Sequence, residues 1–431
     1  MRTRKGTAFI VTLGVLTALV LILTAAVRSQ RQGMRATANR MDQQLAEVAA
    51  QAGLQRAIAT LSTQVQSPTK PSDEWATLGG TKGDEATTVG QGQFRVEIVD
   101  SASLVNLNTA PQEQLLNLQL TQEQVDCILD WREQARTSNR ADGAKDTYYN
   151  NLPNGYNAKL LPFETVDELL QVKGFTPKEL FEPRTNVISS TAPLPTDENG
   201  NALALSDLLT VDSTSSATSA AGAALQDLRT ATAPAIQRAV NNPQLATQIF
   251  QRRTTFTSMQ QVLATPGFTT PTAKAFVNAF RVGNANETGR INLNTAPQAV
   301  LQTVPNLTLD LVNAIVSRQS SGFTQLGDLF DVPGYTVQVA QRTIDRFAIN
   351  STTFEIRVIG MPSQMDQTTS NSALSTTHRA KVALKAIVRI SQNQPPRILR
   401  IEQPPQPDVE TKHWGWQADP TTTTPIEGSS L

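Results

Sequence analysis

A run of 21 residues without a charged side chain stands near the amino terminus, TAFIVTLGVLTALVLILTAAV from Thr7 to Val27. An α-helix rises about 1.5 Å per residue, so this run is long enough to cross the roughly 30 Å hydrocarbon layer of a membrane. The segment therefore predicts a membrane span, and it restricts the rest of the chain to an architecture that follows a single anchored helix.

Basic residues lie on both sides of the predicted span. Three of them precede it, which favours a cytoplasmic N-terminus, but Arg28 and Arg31 follow it and weaken that preference. A removed secretory signal is the alternative, with Thr24 to Ala26 as the cleavage site. The apolar run exceeds the usual length of about 7 to 15 residues for such signals, so a retained span is the favoured interpretation.

The apolar pattern continues beyond the span. Residues that recur at steps of three and four along one side of a helix are Met34, Ala38, Met41, Leu45, Val48, Ala52, Ile58, Leu61 and Val65. No proline interrupts this region before Pro68. We therefore predict one continuous helix whose apolar stripe is covered by an antiparallel sheet with one apolar face.

Four segments alternate apolar and polar residues as half-buried strands do. They are GQFRVEIVD (92–100), TFEIRVIG (353–360), RAKVALKAIVRIS (379–391) and RILRIE (397–402). The predicted fold class is α+β: a pilin-like long N-terminal helix packs on a small antiparallel sheet. A large all-α domain is inserted after the first strand.

The insertion contains an internal repeat. Asn106 to Arg132 aligns without a gap with Asn292 to Arg318 at a shift of 186 residues, and Asn-Leu-Asn-Thr-Ala-Pro is identical in both copies. The turn residues predicted to open a helix in the two copies are Asn108 and Thr109, and Asn294 and Thr295. The threonine would be the helix N-cap, with a proline following in the first turn. The string thus opens each of two related helical lobes.

A second half-motif occurs three times, and each copy has a glycine eleven residues after its first phenylalanine, at Gly174, Gly267 and Gly334. It predicts a helix, a turn and a helix, so the two half-motifs together resemble paired helix-hairpin-helix folds. Many such units hold DNA by directing the amides of a Gly-x-Gly hairpin at a phosphate beside Lys or Arg. Here each of these hairpins has one glycine, and residues 104–182 contain 12 acidic and 7 basic residues. Packing modules are the favoured interpretation, and no nucleic acid is expected.

The composition excludes several classes of site. The 37 basic residues balance the 37 acidic residues, and the single cysteine, Cys127, cannot form an internal disulfide framework. No nucleophile elbow, phosphate-binding glycine loop or HExxH motif is present, so neither an enzyme nor a cofactor is expected. Asp130, Asp142 and Asp146 surround a loop that could hold Ca²⁺, but their spacing matches no EF-hand, and a solvated acidic loop is the favoured interpretation.

The N-terminal region resembles type IV pilins. In those proteins a short basic leader precedes the apolar span, and prepilin peptidase would here cut between Gly6 and Thr7. Pilins and most pseudopilins carry glutamate at the fifth mature position, where its carboxylate is thought to pair with the terminal amine of the preceding subunit. Val11 stands there in this chain, a departure that fits a first subunit at the tip of a filament.

The order of all the parts resembles minor pseudopilin K of type II secretion systems. The resemblance is carried by NLNTA, DWRE, TYYN, PFETVDELLQVKGFTPKELF and the second INLNTAP. Thr7 departs from it, because the family usually has phenylalanine at the first mature position. The resemblance implies a single-pass inner-membrane protein with a cytoplasmic N-terminus and a periplasmic body. Its implied partners are prepilin peptidase, other minor pseudopilins and the major pseudopilin.

The implied role is to prime pseudopilus assembly from the tip and to support protein export across the outer membrane. One alternative is a membrane-anchored helix-hairpin-helix DNA receptor of the competence type. Another is an exported enzyme with an unfamiliar site.

The predicted domain boundaries follow from these patterns. Residues 1–6 are the leader, 7–66 the long helix, and 93–103 with 350–403 the α+β domain. Residues 104–349 form the inserted domain, in which lobes 104–182 and 252–349 are joined by a linker, 183–251. Its Ser-, Thr- and Ala-rich stretch, 208–225, is predicted to be a flexible crossing, and the tail, 404–431, to be disordered.

Overall fold

A computed structural model describes residues 5–64, 68–79, 85–188, 192–197, 199–363, 380–391 and 394–403, with side chains from residue 9 onward. The predicted disordered tail lies outside the described residues. The helices are α1 (Lys5–Gln64), α2 (Glu74–Thr77), α3 (Gln112–Asn117), α4 (Gln122–Arg132), α5 (Asp146–Tyr149), α6 (Pro177–Phe181), α7 (Ala233–Val240), α8 (Pro243–Arg252), α9 (Met259–Leu263), α10 (Thr270–Ala279), α11 (Gln298–Leu301), α12 (Leu309–Gln319) and α13 (Val337–Thr343).

The strands are mostly short outside the main sheet. They are β1 (Thr87–Val89), β2 (Gly92–Asp100), β3 (Val105–Asn106), β4 (Leu209–Thr210), β5 (Thr214–Ser216), β6 (Gln226–Asp227), β7 (Phe280–Arg281), β8 (Asn286–Thr288), β9 (Ile291–Asn292), β10 (Phe347–Ala348), β11 (Thr353–Pro362), β12 (Val382–Arg389) and β13 (Arg397–Glu402). Short 3₁₀ segments are Ser101–Ser103, Val166–Gln171, Leu205–Asp207, Leu228–Thr230, Leu326–Asp331 and Ile344–Arg346.

The long helix and the main sheet form the α+β part of the fold, as predicted. The sheet is antiparallel with the order β1-β2-β11-β12-β13, and β2 pairs with β11 across the whole inserted region. The apolar face of these strands packs on α1 and on Trp75, whose ring meets Phe354 edge-on at 5.0 Å between centroids. The four alternating segments of the sequence are therefore the four long strands of this sheet.

Small residues let α1 approach the sheet closely. The helix places Ala46, Ala50 and Ala57 in the shared core. A Cβ atom added to Gly53 would lie 2.7 Å from Val358 Cγ1, and one added to Gly360 would overlap the backbone of α1 at Ala46 and Ala50. The helix and sheet thus approach closely at both glycines, without room for a methyl group.

The part of the predicted apolar stripe that directly follows the membrane span does not pack on the sheet. Met34, Met41 and Val48 are 72%, 58% and 63% exposed. The face that the sheet covers is instead formed by the alanines and Gly53, roughly 140° away around the helix at about 100° per residue. The prediction that the sheet covers this part of the stripe is wrong, because Met34 and Met41 precede the first core contact of α1 at Ala46 and Val48 lies on the side away from the sheet.

The second face of the sheet contacts the inserted region. It carries charged residues: Arg357 Nε lies 2.6 Å from Glu355 Oε1, and Lys385 Nζ lies 3.6 Å from Glu355 Oε2. Arg400 on β13 reaches Asp212 at 3.3 Å and the backbone carbonyl of Glu164 in the inserted region. The inserted region therefore meets the sheet at Arg400, on the face opposite α1.

The inserted region is mainly helical, and it also contains four pairs of very short strands that the sequence did not indicate. Three pairs are parallel, β3 with β4, β6 with β7 and β9 with β10, and β5 pairs with β8 antiparallel. Its buried apolar residues form one core that extends from Val105 to Ile349 and includes both repeats. The two lobes are thus parts of one packed unit.

The prediction of a flexible crossing at 208–225 is wrong for residues 208–215, whereas residues 216–225 are half-buried or exposed. Leu208, Leu209 and Val211 are buried, and β4 hydrogen-bonds to β3 of the first repeat. Ser213 and Thr214 are buried as well. Low charge and abundant hydroxyl groups indicated a linker, but three apolar side chains and a parallel pairing hold this stretch in the core.

Candidate functional site

The exposed N-terminal half of α1 is the first candidate for assembly. The part of the chain that the structure describes contains one helix long and apolar enough to cross a membrane, and its most apolar window, of mean hydropathy 2.7, is not buried at all. Val11 is 64% exposed. The Thr12 and Thr24 hydroxyls donate to the carbonyls of Phe9 and Leu21, both at 2.9 Å. Such internal bonds satisfy the polar groups in an apolar environment.

The predicted cleavage site lies at the start of this helix. Gly6 and Thr7 belong to α1, which begins at Lys5. Val11 is five residues into the sequence that would follow the cut, and the first acidic residue of the whole chain is Asp42. The cleavage position and the meaning of Val11 stay predictions.

The second asparagine of the repeated motif joins the two half-motifs of each lobe. Asn108 accepts from the backbone N–H of Phe163 at 2.7 Å and donates to its carbonyl at 2.9 Å. Asn294 accepts from the N–H of Phe323 at 2.7 Å and donates to its carbonyl at 3.0 Å. The same amide also donates to the backbone beyond the parallel strand, at Val211 or Ile349. The repeat therefore encodes the same pair of hydrogen bonds in both lobes. We call each pair, Asn108 with Phe163 and Asn294 with Phe323, an asparagine clasp.

The first asparagine of the motif shapes the turn and reaches outward. The side-chain carbonyls of Asn106 and Asn292 accept from the N–H two residues on, at 2.9 and 3.1 Å. Their amides have different partners, since Asn106 donates to Ser213 Oγ and Asn292 donates to Asp100 Oδ2 and Thr69 Oγ1. The first repeat is thus fastened to the crossing, and the second to the sheet.

Asp100, at the end of β2, is the residue through which the sheet holds the second repeat. Its Oδ2 accepts from Thr295 Oγ1 at 2.6 Å and from Asn292, while its Oδ1 accepts from the N–H of Ala102 at 2.7 Å. Burial raises the pKa of this carboxyl group, and the hydrogen bonds oppose the rise. Asp100 follows Phe94, Val96 and Ile98 in the inward register of β2, so the charged residue that breaks this apolar alternation was a signal that the sequence analysis missed.

The predicted N-caps are wrong by two residues. Helices α3 and α11 have Pro111 and Pro297 at the N-cap position, where neither side chain can cap. Thr109 and Thr295 lie in the turn before, and Thr295 uses its hydroxyl on Asp100 instead. The asparagine at the first motif position supplies the turn bond that was assigned to threonine.

The three hairpin glycines have the geometry predicted for turns. Gly174, Gly267 and Gly334 have φ of 86°, 110° and 85°, a region that favours glycine. Each hairpin lies against another helix: a Cβ at Gly174 would be 3.2 Å from Gln124 Cγ, and one at Gly334 would be 3.3 Å from Leu311 Cδ2. Gln124 also donates to the carbonyl of Gly174 at 2.7 Å. These hairpins contact their own fold, an arrangement that does not favour the DNA-receptor alternative.

The acidic loop around α4 is occupied by basic side chains. Arg140 lies 2.8 Å from Asp130 Oδ1, and Asp146 accepts from the N–H of Ala158 at 2.8 Å. Lys145 donates to the carbonyls of Asp130 and Glu133. In the described part of the chain, no group of three His, Cys, Asp or Glu side chains is placed to hold a metal ion. Cys127 is buried, and burial raises its pKa to about 12.

A family model described as "Type II secretion system (T2SS), protein K" matches residues 103–187. This segment coincides closely with the first predicted lobe. No curated protein matches the chain. Among solved structures, similarity extends to a chain of the GspK-GspI-GspJ complex from the enterotoxigenic Escherichia coli Type 2 Secretion System. The identity is 13%, the alignment covers 88% of this chain and 99% of that chain, and the TM-score is 0.44.

Proposed function

We propose that this chain, whose residues 103–187 match the family model for protein K of type II secretion systems, is a minor pseudopilin seated at the tip of a pseudopilus. There it primes assembly and so supports the export of proteins across the outer membrane. It works by packing and placement, without chemistry of its own.

The observation that carries the proposal is the combination of an uncharged, exposed helix start with a wide body. The helix has no acidic side chain before Asp42, so it offers no carboxylate to the terminal amine of a subunit placed before it. Burying that amine unpaired would cost several kcal/mol, whereas the first subunit of a filament has no such neighbour. The inserted region adds bulk that would obstruct stacking along a shaft.

The proposed setting is the inner membrane, with the N-terminus in the cytoplasm and the body in the periplasm. The apolar window of α1 is compatible with one membrane span. The proposed partners are prepilin peptidase, which would cut between Gly6 and Thr7, other minor pseudopilins and the major pseudopilin. The solved structure described above is a complex of GspK, GspI and GspJ. We propose that this chain forms a comparable complex with its own partners.

N-terminal sequencing of the membrane-extracted protein tests the processing step. The proposal expects Thr7 as the first residue in cells with an active prepilin peptidase, and an intact N-terminus when Gly6 is replaced in Gly6→Leu. An intact Met1 in the unaltered protein, or a start near Val27, would overturn the prepilin assignment.

A further inference from the structure

Strand β13 lies at an open edge of the main sheet. It is the last strand in the order β1-β2-β11-β12-β13, and among the described residues β12 is its one hydrogen-bonded neighbour. Ile398 and Ile401 of this strand expose 40% and 51% of their surface. An edge strand that presents unpaired backbone groups beside exposed apolar side chains is a template for pairing with another chain, and native proteins cover or block such edges.

The two isoleucines continue the apolar face of the sheet beyond the region that α1 covers. Ile401 lies opposite Ala386, and Ile398 lies opposite Val388. Residues directly opposite each other in an antiparallel pair share a face, and Ala386 and Val388 belong to the core between the sheet and α1. Ile398 and Ile401 do not belong to that core. The apolar face therefore extends past α1 onto β13, where it is exposed.

An irregularity in the pairing sets the spacing of the two isoleucines. The register of β12 and β13 shifts between Ile387 and Val388, so Ile398 and Ile401 face residues that are only two apart. Two residues along a strand measure about 7 Å. The exposed surface is thus a pair of branched apolar side chains about 7 Å apart on one face of the sheet.

The chain itself supplies a segment with the matching spacing. Residues 404–431 follow β13, and the stretch Pro404–Pro407 contains three prolines, which have no N–H to continue a sheet ladder. The tryptophans of this segment are Trp414 and Trp416. At positions i and i+2 of an extended chain, two side chains point to the same face and lie about 7 Å apart.

The segment is long enough to return along the strand. Trp414 is twelve residues after Glu402, a separation over which an extended chain spans as much as about 40 Å. The six residues of β13 are about 20 Å long. A turn at the prolines and a return along β13 therefore fit within the sequence. Each indole buries about 150–250 Å², enough to cover an isoleucine side chain.

We propose that residues 404–417 fold back on their own sheet, and that Trp414 and Trp416 pack over Ile401 and Ile398. The contact closes the open edge at β13 and protects it from pairing with a strand of another chain. It replaces the expectation of disorder for this part of the tail, which rested on a low apolar content. The contact involves the body alone and does not depend on a position at the tip of a filament.

Fluorine NMR of the full-length chain labelled with 5-fluorotryptophan, in lipid nanodiscs, tests this contact. The chain has four tryptophans, and Trp414→Phe and Trp416→Phe assign the two tail resonances. Trp75 and Trp131 are buried in the body, so unchanged resonances from these two show that a variant is folded. The shift of each resonance between H₂O and D₂O measures the exposure of its indole ring.

The two tail resonances should show at most about half of the solvent-isotope shift of free 5-fluorotryptophan, because a packed indole excludes water. Ile398→Asp combined with Ile401→Asp should restore the full shift. Leu309→Asp is the matched control, because Leu309 is an apolar residue of α12 with a similar exposure, 53%. It should leave both tail resonances unchanged.

A spin label separates contact within one chain from contact between chains. Arg397→Cys carries the label, because Arg397 is exposed at the start of β13, and the buried Cys127 does not compete. The label should broaden both tail resonances of its own chain. In a mixture of spin-labelled chains without fluorine and fluorinated chains without the label, the tail resonances should stay sharp.

Full solvent-isotope shifts for both tail resonances in the original protein would overturn the proposal. So would protection that persists in the variant with both aspartates, since the tryptophans would then lie against lipid or another surface. Broadening in the mixed sample would assign the edge to a second copy of the chain, and it would overturn the proposal as well.

Discussion

Asn117 and Thr303 occupy the same position in the two repeats, and the side-chain amide of Asn117 donates a 3.0 Å hydrogen bond to the backbone carbonyl of Thr303. Gln114 adds a 3.2 Å bond to the Thr303 hydroxyl, which is buried. The repeats therefore meet through equivalent parts, α3 and the end of α11. The two copies of the duplicated motif pack against each other in this way, and together they bury an apolar core that neither copy would bury alone.

This contact predicts that the body unfolds as one unit. Both repeats and the crossing between them share one apolar core, so separating the lobes would expose most of it at once. Differential scanning calorimetry of the full chain in detergent should show a single transition for the body. Two well-separated transitions assigned to the two lobes would contradict the single core.

The two asparagine clasps should differ in strength. Asn294 is buried, whereas Asn108 is partly exposed, so Asn294→Ala leaves the N–H and carbonyl of Phe323 without water to replace the lost bonds. We expect Asn294→Ala to lower the free energy of unfolding by about 1–3 kcal/mol and Asn108→Ala to lower it by less. Chemical denaturation measures both. Asn139→Ala, in an exposed loop, is the matched control and should be near neutral; an equal effect at 108 and 139 would argue against the clasp.

The close approach of α1 to the sheet should not tolerate a methyl group. Gly360→Ala would drive a Cβ into the α1 backbone at Ala46 and Ala50, and we expect a loss of at least about 1–3 kcal/mol. Gly33→Ala, in α1, is the control, because a Cβ there meets nothing within 4 Å. It should be neutral or stabilise by up to about 1 kcal/mol. Thermal unfolding compares them, and a Gly360→Ala protein as stable as the original would refute the packing described.

The charged face of the sheet should make stability depend on acid pH. Burial alone would raise the pKa of Glu355, but Lys385 and Arg357 outweigh it and lower the pKa to about 2. In the unfolded chain the pKa of Glu355 is near its ordinary value of 4.5. The stabilisation from ionised Glu355 is therefore complete above pH 4.5 and is lost as the pH falls toward 2.

The measurement for this prediction is denaturant unfolding between pH 7 and pH 2.5 for the original protein and Glu355→Gln. The stability difference between them should shrink as the pH falls below 4.5. Glu47→Gln, at an exposed position of α1, should follow the original protein throughout. A difference that stays constant with pH would show that Glu355 is not held ionised by its neighbours.

Local periodicity was enough to predict the long helix, the four long strands and the insertion between them. The alternation in 92–100 and 353–360 requires one apolar face, and these segments pair in the sheet. Periodicity could not say which side of α1 the sheet would cover, because that depends on backbone approach at Gly53 and Gly360 rather than on side-chain size.

The repeat was visible in the sequence, but its chemistry was not. Helix-start rules assigned the capping to Thr109 and Thr295, while the structure uses the neighbouring asparagines for turns and clasps. The partners of those asparagines lie more than 25 residues away along the chain at Phe163, Val211 and Phe323. The partners of Asp100 and of the crossing at 208–215 were missed for the same reason, since only tertiary contacts supply them.

Immunogold electron microscopy of purified filaments, with antibody raised against residues 104–182, tests the central claim most directly. If the protein sits at the tip and primes assembly, we expect one site of label at a single end of each filament and fewer filaments in cells that lack the protein. Label repeated along the shaft would contradict it.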